Sequence, residues 1–248
     1  MIDFFDSNCM YGNRSVVREG SVVTEKEYEE MFERARIGKV LAYHSDAANT
    51  DLISGNELIC ELQRRNSRYT AQWCVMPNST GEFFSSNELI LKMRENSVKS
   101  VRVFPVQMSF SISPYSCGEL FSELEKYRVP LFINNSQITY QELYALLMEY
   151  PHLPVILCGL GHHTERQIYP IAAACPNLYI ETSLFFANNS IEMFVKRFGA
   201  ERLIFGTGTP ENSACGAVAS ILYACISEAD KQRIAAENLE AILEEVKL

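Results

Sequence analysis

The feature that most constrains the fold is an alternation that runs the length of the chain. Apolar runs of strand length alternate with amphipathic segments of helix length, and eight such alternations can be read. The expected strands are Met1–Asp6, Lys39–His44, Tyr69–Met76, Ser100–Phe104, Leu131–Asn134, Val155–Cys158, Leu178–Glu181 and Leu203–Gly206. Their starts lie roughly thirty residues apart, the length that a parallel strand, its loops and a crossover helix consume. Runs such as Leu131-Phe132-Ile133 and Val155-Ile156-Leu157 are apolar throughout, which suits strands covered on both faces.

This pattern selects an α/β fold, a single (β/α)8 TIM barrel occupying residues 1–248 as one domain. The 248 residues match the roughly 250 of a minimal closed barrel. An open doubly wound sheet would use fewer units and place a glycine-rich phosphate loop after its first strand. The segment there reads Ser7-Asn8-Cys9-Met10-Tyr11-Gly12, which is no such loop. No low-complexity linker divides the chain. Residues 7–23 form the longest polar connection and read as an insertion over the barrel mouth. Helix starts are marked by Ser or Thr followed three residues later by an acid or amide, the reciprocal capping arrangement: Thr24 with Glu27, Ser85 with Glu88, Ser116 with Glu119, Thr139 with Glu142, Thr164 with Gln167 and Ser227 with Asp230.

Composition excludes some partners. The net charge of −9 repels polyanions. The one basic cluster, Arg64-Arg65 with Arg68, sits near the end of an expected helix, where cations meet the helix dipole. Nucleic acid is therefore not an expected partner. No window approaches the length of apolar sequence that a membrane-spanning helix needs, and none is expected. The N-terminus opens on an apolar strand without the features of a secretory signal, so a cytoplasmic location is expected. The eight cysteines are scattered without a Cys-x-x-Cys pair and read as free thiols.

Three segments carry a resemblance. Phe5-Asp6-Ser7-Asn8-Cys9-Met10-Tyr11-Gly12 aligns with an Asp-x-His-x-His-x-Gly signature, keeping its Asp and Gly. Asn177-Leu178-Tyr179-Ile180-Glu181-Thr182-Ser183 is similar to a strand ending Asp-Thr-Ser. Arg197-Phe198-Gly199-Ala200-Glu201-Arg202-Leu203-Ile204-Phe205-Gly206-Thr207-Gly208-Thr209-Pro210 is similar to "RFGADRLLFGSDxP". Together these segments resemble the amidohydrolase-related (amidohydrolase family 2) proteins of the metal-dependent hydrolase superfamily. The resemblance implies a TIM barrel acting on small carboxylate-bearing or cyclic molecules, by hydrolysis or decarboxylation.

The departures from the family pattern fall where its metal sits. Asn8 and Met10 stand at the two histidines of the first strand, Asn134 near the histidine of the fifth, Gly159 where the sixth strand carries histidine, and Gly208 at the aspartate after the eighth. That aspartate typically takes the proton of the attacking water in such enzymes. A catalytic zinc needs about three N, O or S ligands, so no metal ligand and no cofactor is expected. Zinc or another divalent metal returns only if His44, His162, His163 and Glu181 rebuild a site.

In such barrels ligands bind at the carboxyl ends of the strands. The polar residues placed there give His44, His162 and His163 as candidate acids or bases, and Asp6, Asn8, Gln107, Asn134, Glu181 and Ser183 as candidate ligand-binding residues. For Asp6 the favoured reading is structural, holding backbone donors at its turn. Adjacent residues point in different directions, so at most one of His162 and His163 is expected in the pocket, the other capping the helix near Thr164. The expected ligand is a small polar or carboxylate-bearing molecule, and analogy with the family suggests a homodimer. Two functions fit: an amidohydrolase-like enzyme without the usual metal, or a non-catalytic barrel serving as a ligand-binding or interaction module.

Overall fold

The structure is a computed structural model that describes residues 2–14, 16 and 19–248. Met1, where the first strand is expected to begin, and Ser15, Val17 and Arg18 of the 7–23 connection lie outside the described residues. The strands are β1 (Phe4–Tyr11), β2 (Ile37–His44), β3 (Tyr69–Ala71), β4 (Trp73–Cys74), β5 (Val101–Val103), β6 (Leu131–Asn134), β7 (Val155–Cys158), β8 (Leu178–Glu181) and β9 (Leu203–Ile204). All pairings between them are parallel. β3 and β4 are halves of one expected strand, interrupted at Gln72. The Gln72 N–H still donates to Ala42 O at 2.8 Å, and Trp73 N to Ser100 O at 3.2 Å, so this strand links the β1-β2-β3 sheet to the β4-to-β9 sheet. At the other edge Ser7 N donates to Phe205 O (3.0 Å) and Met10 N to Thr209 O (2.9 Å), which joins the segment after β9 back to β1 and closes the ring.

β1 runs on to Tyr11, so Ser7 to Tyr11 of the expected connection are strand. Between Asp6 and Cys9 the register against β2 advances by one residue less on the partner side, from Val40 to Ala42, which marks a bulge at Ser7-Asn8. Bulges of this kind re-aim a side chain beside a site, and the residue re-aimed here is Asn8.

The period-2 alternation of the strands sorts the interior into layers. Phe5, Leu41, Phe132, Ile156 and Ile204 point inward and pack with Ala236, Leu239, Ile242 and Leu243 of the last helical segments, which close the amino-terminal end. The alternate residues Ile133, Leu157, Ile180 and Phe205 face the outer helices in the larger core. One inward step further along the strands stand Asn134, Cys158, Glu181 and Gly206. The apolar plug thus gives way to a polar layer before the carboxyl end is reached.

Reciprocal caps form at Thr24, Ser85 and Thr139 as their sequences predict, and Ser227 accepts from Asp230 N. The other two expectations are corrected. The helix expected from Ser116 starts at Pro114, whose fixed φ suits a first helical position, with Ser113 before it. Thr164 precedes Glu165–Ala174 with helical rather than extended φ and ψ, so its buried hydroxyl makes no cap bond. No described helix is long and apolar enough to cross a membrane.

Candidate active site

At the centre of the polar layer is a charge that the sequence reading did not single out. Arg102, in the middle of β5, is fully buried. Its Nε donates to Gln72 Oε1 at 2.7 Å, and its terminal nitrogens donate to Asn134 Oδ1 at 3.2 Å and Asn8 Oδ1 at 3.0 Å. A longer contact of 3.8 Å reaches Cys158 Sγ. The guanidinium lies 4.8 Å from the Tyr43 ring centroid and 5.4 Å from that of Phe132. A buried cation is tolerated only when paired and hydrogen-bonded, and three amide oxygens and two ring faces supply that environment. Arginine suits it because its planar fork reaches several acceptors at once.

These bonds fix the orientation of both asparagines. Since each Oδ1 faces the guanidinium, each Nδ2 is turned away from it. Asn8 Nδ2 donates to Glu181 Oε2 at 2.9 Å. Glu181 also accepts from Ser183 N at 2.5 Å and from the Ser183 hydroxyl at 2.8 Å. Burial pushes its carboxyl up to about 7, opposed by the Ser183 bonds and by Arg102 and reinforced by Asp6. The Asp6 carboxyl is likewise raised by burial. Asp6 accepts from Asn8 N (3.0 Å), Thr207 N (2.8 Å) and the Thr207 hydroxyl (2.5 Å), tying β1 to the segment after β9.

Above this layer a cavity of about 390 Å³ opens at the carboxyl ends of the strands, within the range of small-molecule sites. Asn8, Asn134 and Ser183 form part of its wall, with Tyr43, Phe104 and Leu184 as apolar faces. Gln107 lines its rim, donating through Nε2 to Ala48 O at 2.6 Å and Asn49 Oδ1 at 3.1 Å. Of the expected ligand-binding residues, then, Asn8, Gln107, Asn134 and Ser183 meet at the cavity, while Asp6 and Glu181 lie beneath it.

The three histidines are placed elsewhere. His44 is the N-cap of Ser45–Asn49, its Nδ1 accepting from Asp46 N at 3.1 Å, and burial lowers its pKa despite the opposing pull of Asp46. That bond requires a lone pair on Nδ1, so it belongs to the neutral ring. His162 and His163 are exposed, with ring centroids 6.2 Å apart. None of the three lines the cavity, and neither His162 nor His163 makes the cap bond expected before Glu165.

A parallel barrel carrying a polar cavity over an internal cation is the class that fold and site define. The family model described as Amidohydrolase matches residues 38–244, and the chain belongs to that family. Similar solved structures include an uncharacterized TIM-barrel protein from Bordetella bronchiseptica (TM-score 0.78, 13% identity, covering 98% of this chain and 99% of that one). A 2,6-dihydroxybenzoate decarboxylase from Rhizobium has a TM-score of 0.73 at 15% identity, with 98% of each chain covered. A dihydroxybenzoic acid decarboxylase from Polaromonas, solved with bound manganese and the inhibitor 2-nitroresorcinol, has a TM-score of 0.74 at 16% identity, covering 98% of this chain and 97% of that one. Identities this low carry the fold alone. No curated protein matches the chain.

Proposed function

We propose that the protein is an enzyme of the hydrolase and decarboxylase type that takes a small carboxylate-bearing or cyclic molecule at the barrel mouth and works without a divalent cation. The observation that carries this reading is the guanidinium of Arg102, bonded to Asn8 and Asn134 at positions where the family resemblance expects metal-binding histidines.

The residues present do not fit the metal that the family implies and that two similar solved structures contain as manganese. Both amide oxygens are already directed at a cation, and a second cation beside the guanidinium would be repelled. The Cys158 thiol, pushed up to about 12 by burial, lies 3.8 Å from an Arg102 terminal nitrogen and so also faces the guanidinium. Gly159 and Gly208 bring no donor. At Gly208 φ is +65°, a conformation that side-chain-bearing residues rarely adopt, and a Cβ there would displace Asn212 Nδ2 and stand 3.2 Å from Ser183 Oγ, so an aspartate would need both the strained backbone and a shifted Asn212. Of the residues that could rebuild a site, His44, His162 and His163 do not line the cavity and Glu181 lies beneath it, and among the described residues no three of His, Cys, Asp and Glu are grouped to hold a metal.

The chain's own groups supply a different chemistry. Arg102 holds positive charge under the floor, and the Asn134 amide, its oxygen held by Arg102, turns N–H donors without a partner among the described residues toward the cavity, where they suit an oxygen of a carboxylate or of a developing oxyanion. The apolar walls at Tyr43, Phe104 and Leu184 suit a ring. The reading is tested by incubating chelator-treated protein with hydroxylated benzoates and small lactones, following product formation and heat of binding. Metal-free binding that weakens at least about tenfold in Asn134→Ala, with turnover, supports it. Dependence of turnover on added manganese or zinc overturns the metal-independent claim. Binding without turnover of any compound favours the non-catalytic alternative.

A further inference from the structure

Two buried carboxyls lie in the polar layer, and they are wired differently. Among the described residues, Asp6 accepts only from strand-joining partners, Thr207 and the Asn8 backbone. Glu181 instead accepts from two side chains that themselves form the cavity wall, the Ser183 hydroxyl and the Asn8 amide. A hydroxyl can receive a proton on one lone pair while giving up its own, whereas an amide N–H cannot relay one at neutral pH.

Two glycines make room for this pair. A Cβ at Gly206 would collide with Glu181 Oε1, and one at Gly208 would press on Ser183 Oγ. Gly208 stands where the family resemblance puts the aspartate that handles the water proton, and the Ser183 hydroxyl borders the space that side chain would fill.

We propose that Ser183 and Glu181 are the proton-transfer pair of this pocket, with the Ser183 hydroxyl meeting the ligand and Glu181 storing the proton behind it. The inference rests on the reading of the cavity as an active site. In one direction a bound water or ligand hydroxyl gives its proton to Ser183 Oγ while the Ser183 proton passes to Glu181 Oε2. The products are a nucleophilic or ring oxyanion, an unchanged serine and a neutral Glu181. In the other direction the proton returns to a leaving oxygen, or to the ring carbon whose bond to a carboxylate has just broken with release of carbon dioxide. The electron pair of that bond becomes the new C–H bond, so no oxidant or reductant is needed. Glu181, carried to about 7, populates both states near neutral pH. The charged groups that face it are Asp6 from β1, which favours its neutral form, and Arg102 from β5, which favours its ionised form.

The test uses 2,6-dihydroxybenzoate as a binding probe and its decarboxylated product, resorcinol, as a proton-exchange probe. Exchange of resorcinol ring protons in deuterated buffer is followed by proton NMR, and binding by calorimetry. The wild-type protein is expected to accelerate exchange with a pH profile that turns near 7. Ser183→Ala is expected to lose about 10²-fold or more in exchange rate while binding stays within about threefold, with partial rescue by Ser183→Thr. Glu181→Gln is expected to abolish the turn in the profile, with folding checked by circular dichroism. Probes that bind without accelerated exchange, or an Ala variant that exchanges at the wild-type rate, overturn the pair and leave the cavity assignment standing. Failure of both probes to bind overturns the cavity assignment for this ligand class and the pair with it.

Discussion

Replacing Arg102 by methionine removes the cation around which the polar layer is organised and keeps most of its stem volume. Gln72, itself fully buried, loses its 2.7 Å bond to Nε, and a buried acceptor left alone costs about 1–3 kcal/mol. Asn8 and Asn134 border the cavity, where water replaces the lost donor, so each bond is worth nearer the net value of about 1 kcal/mol. The sum is about 3–5 kcal/mol, the range also found when one member of a buried ionic network is deleted. In a domain of this size, each kcal/mol shifts the melting temperature by about 2–4 °C, so a fall of about 6–20 °C is expected. Urea and thermal unfolding followed by circular dichroism at neutral pH measure it. Arg102→Lys keeps the charge but not the fork, and is expected to recover less than half of the loss. A loss below about 1 kcal/mol for the methionine variant would refute the view that this guanidinium organises the interior.

Three further outcomes are expected. Glu181 is carried from 4.5 to about 7 by burial, so the folded state retains a proton that the unfolded chain releases. Its contribution is present in full below the ordinary carboxylate value and is lost as pH rises through 7, a difference of about 3 kcal/mol, with Asp6 acting in the same direction. Unfolding curves compared between wild type and Glu181→Gln check it, and equal pH slopes in the two proteins would contradict it. Gly206→Ala drives a methyl into the Glu181 carboxyl and is expected to destabilise by about 1–3 kcal/mol or more, read from the urea midpoint. Asn177→Ala removes an amide that donates to Leu147 O, Tyr150 O and Leu153 O, at 3.3, 3.0 and 3.2 Å, and is expected to cost about 2–4 kcal/mol in the same assay.

Much of the barrel is legible in the sequence because its determinants are local and periodic. Leu131–Asn134, Val155–Cys158 and Leu178–Glu181 are strands with the expected bounds, since each is an apolar run bracketed by polar turns. Tyr69–Met76 reads as one strand but divides at Gln72, whose side chain turns to Arg102, a partner 30 residues away that no local pattern reveals. The lining of the cavity is partly legible. Asn8, Asn134 and Ser183 follow from counting to the ends of strands, whereas His44, His162 and His163 drew attention by residue type and sit outside the cavity. Arg102 was missed although a signal existed. A lone guanidinium in Val101-Arg102-Val103-Phe104, a run otherwise apolar and covered on both faces, has no solvent to reach and must find partners inside. The bulge that aims Asn8 is set by pairing with β2 and left no local mark on the sequence.

That an internal arginine stands in place of a bound metal is checked by elemental mass spectrometry. Tag-free protein is expressed with zinc, manganese and iron available and purified without chelator. Well-folded protein is expected with metal far below one equivalent and no gain in thermal stability on adding manganese or zinc. A stoichiometric metal, about one per chain and lost on substituting Glu181 or Asp6, would contradict it and return metal-assisted chemistry to the site.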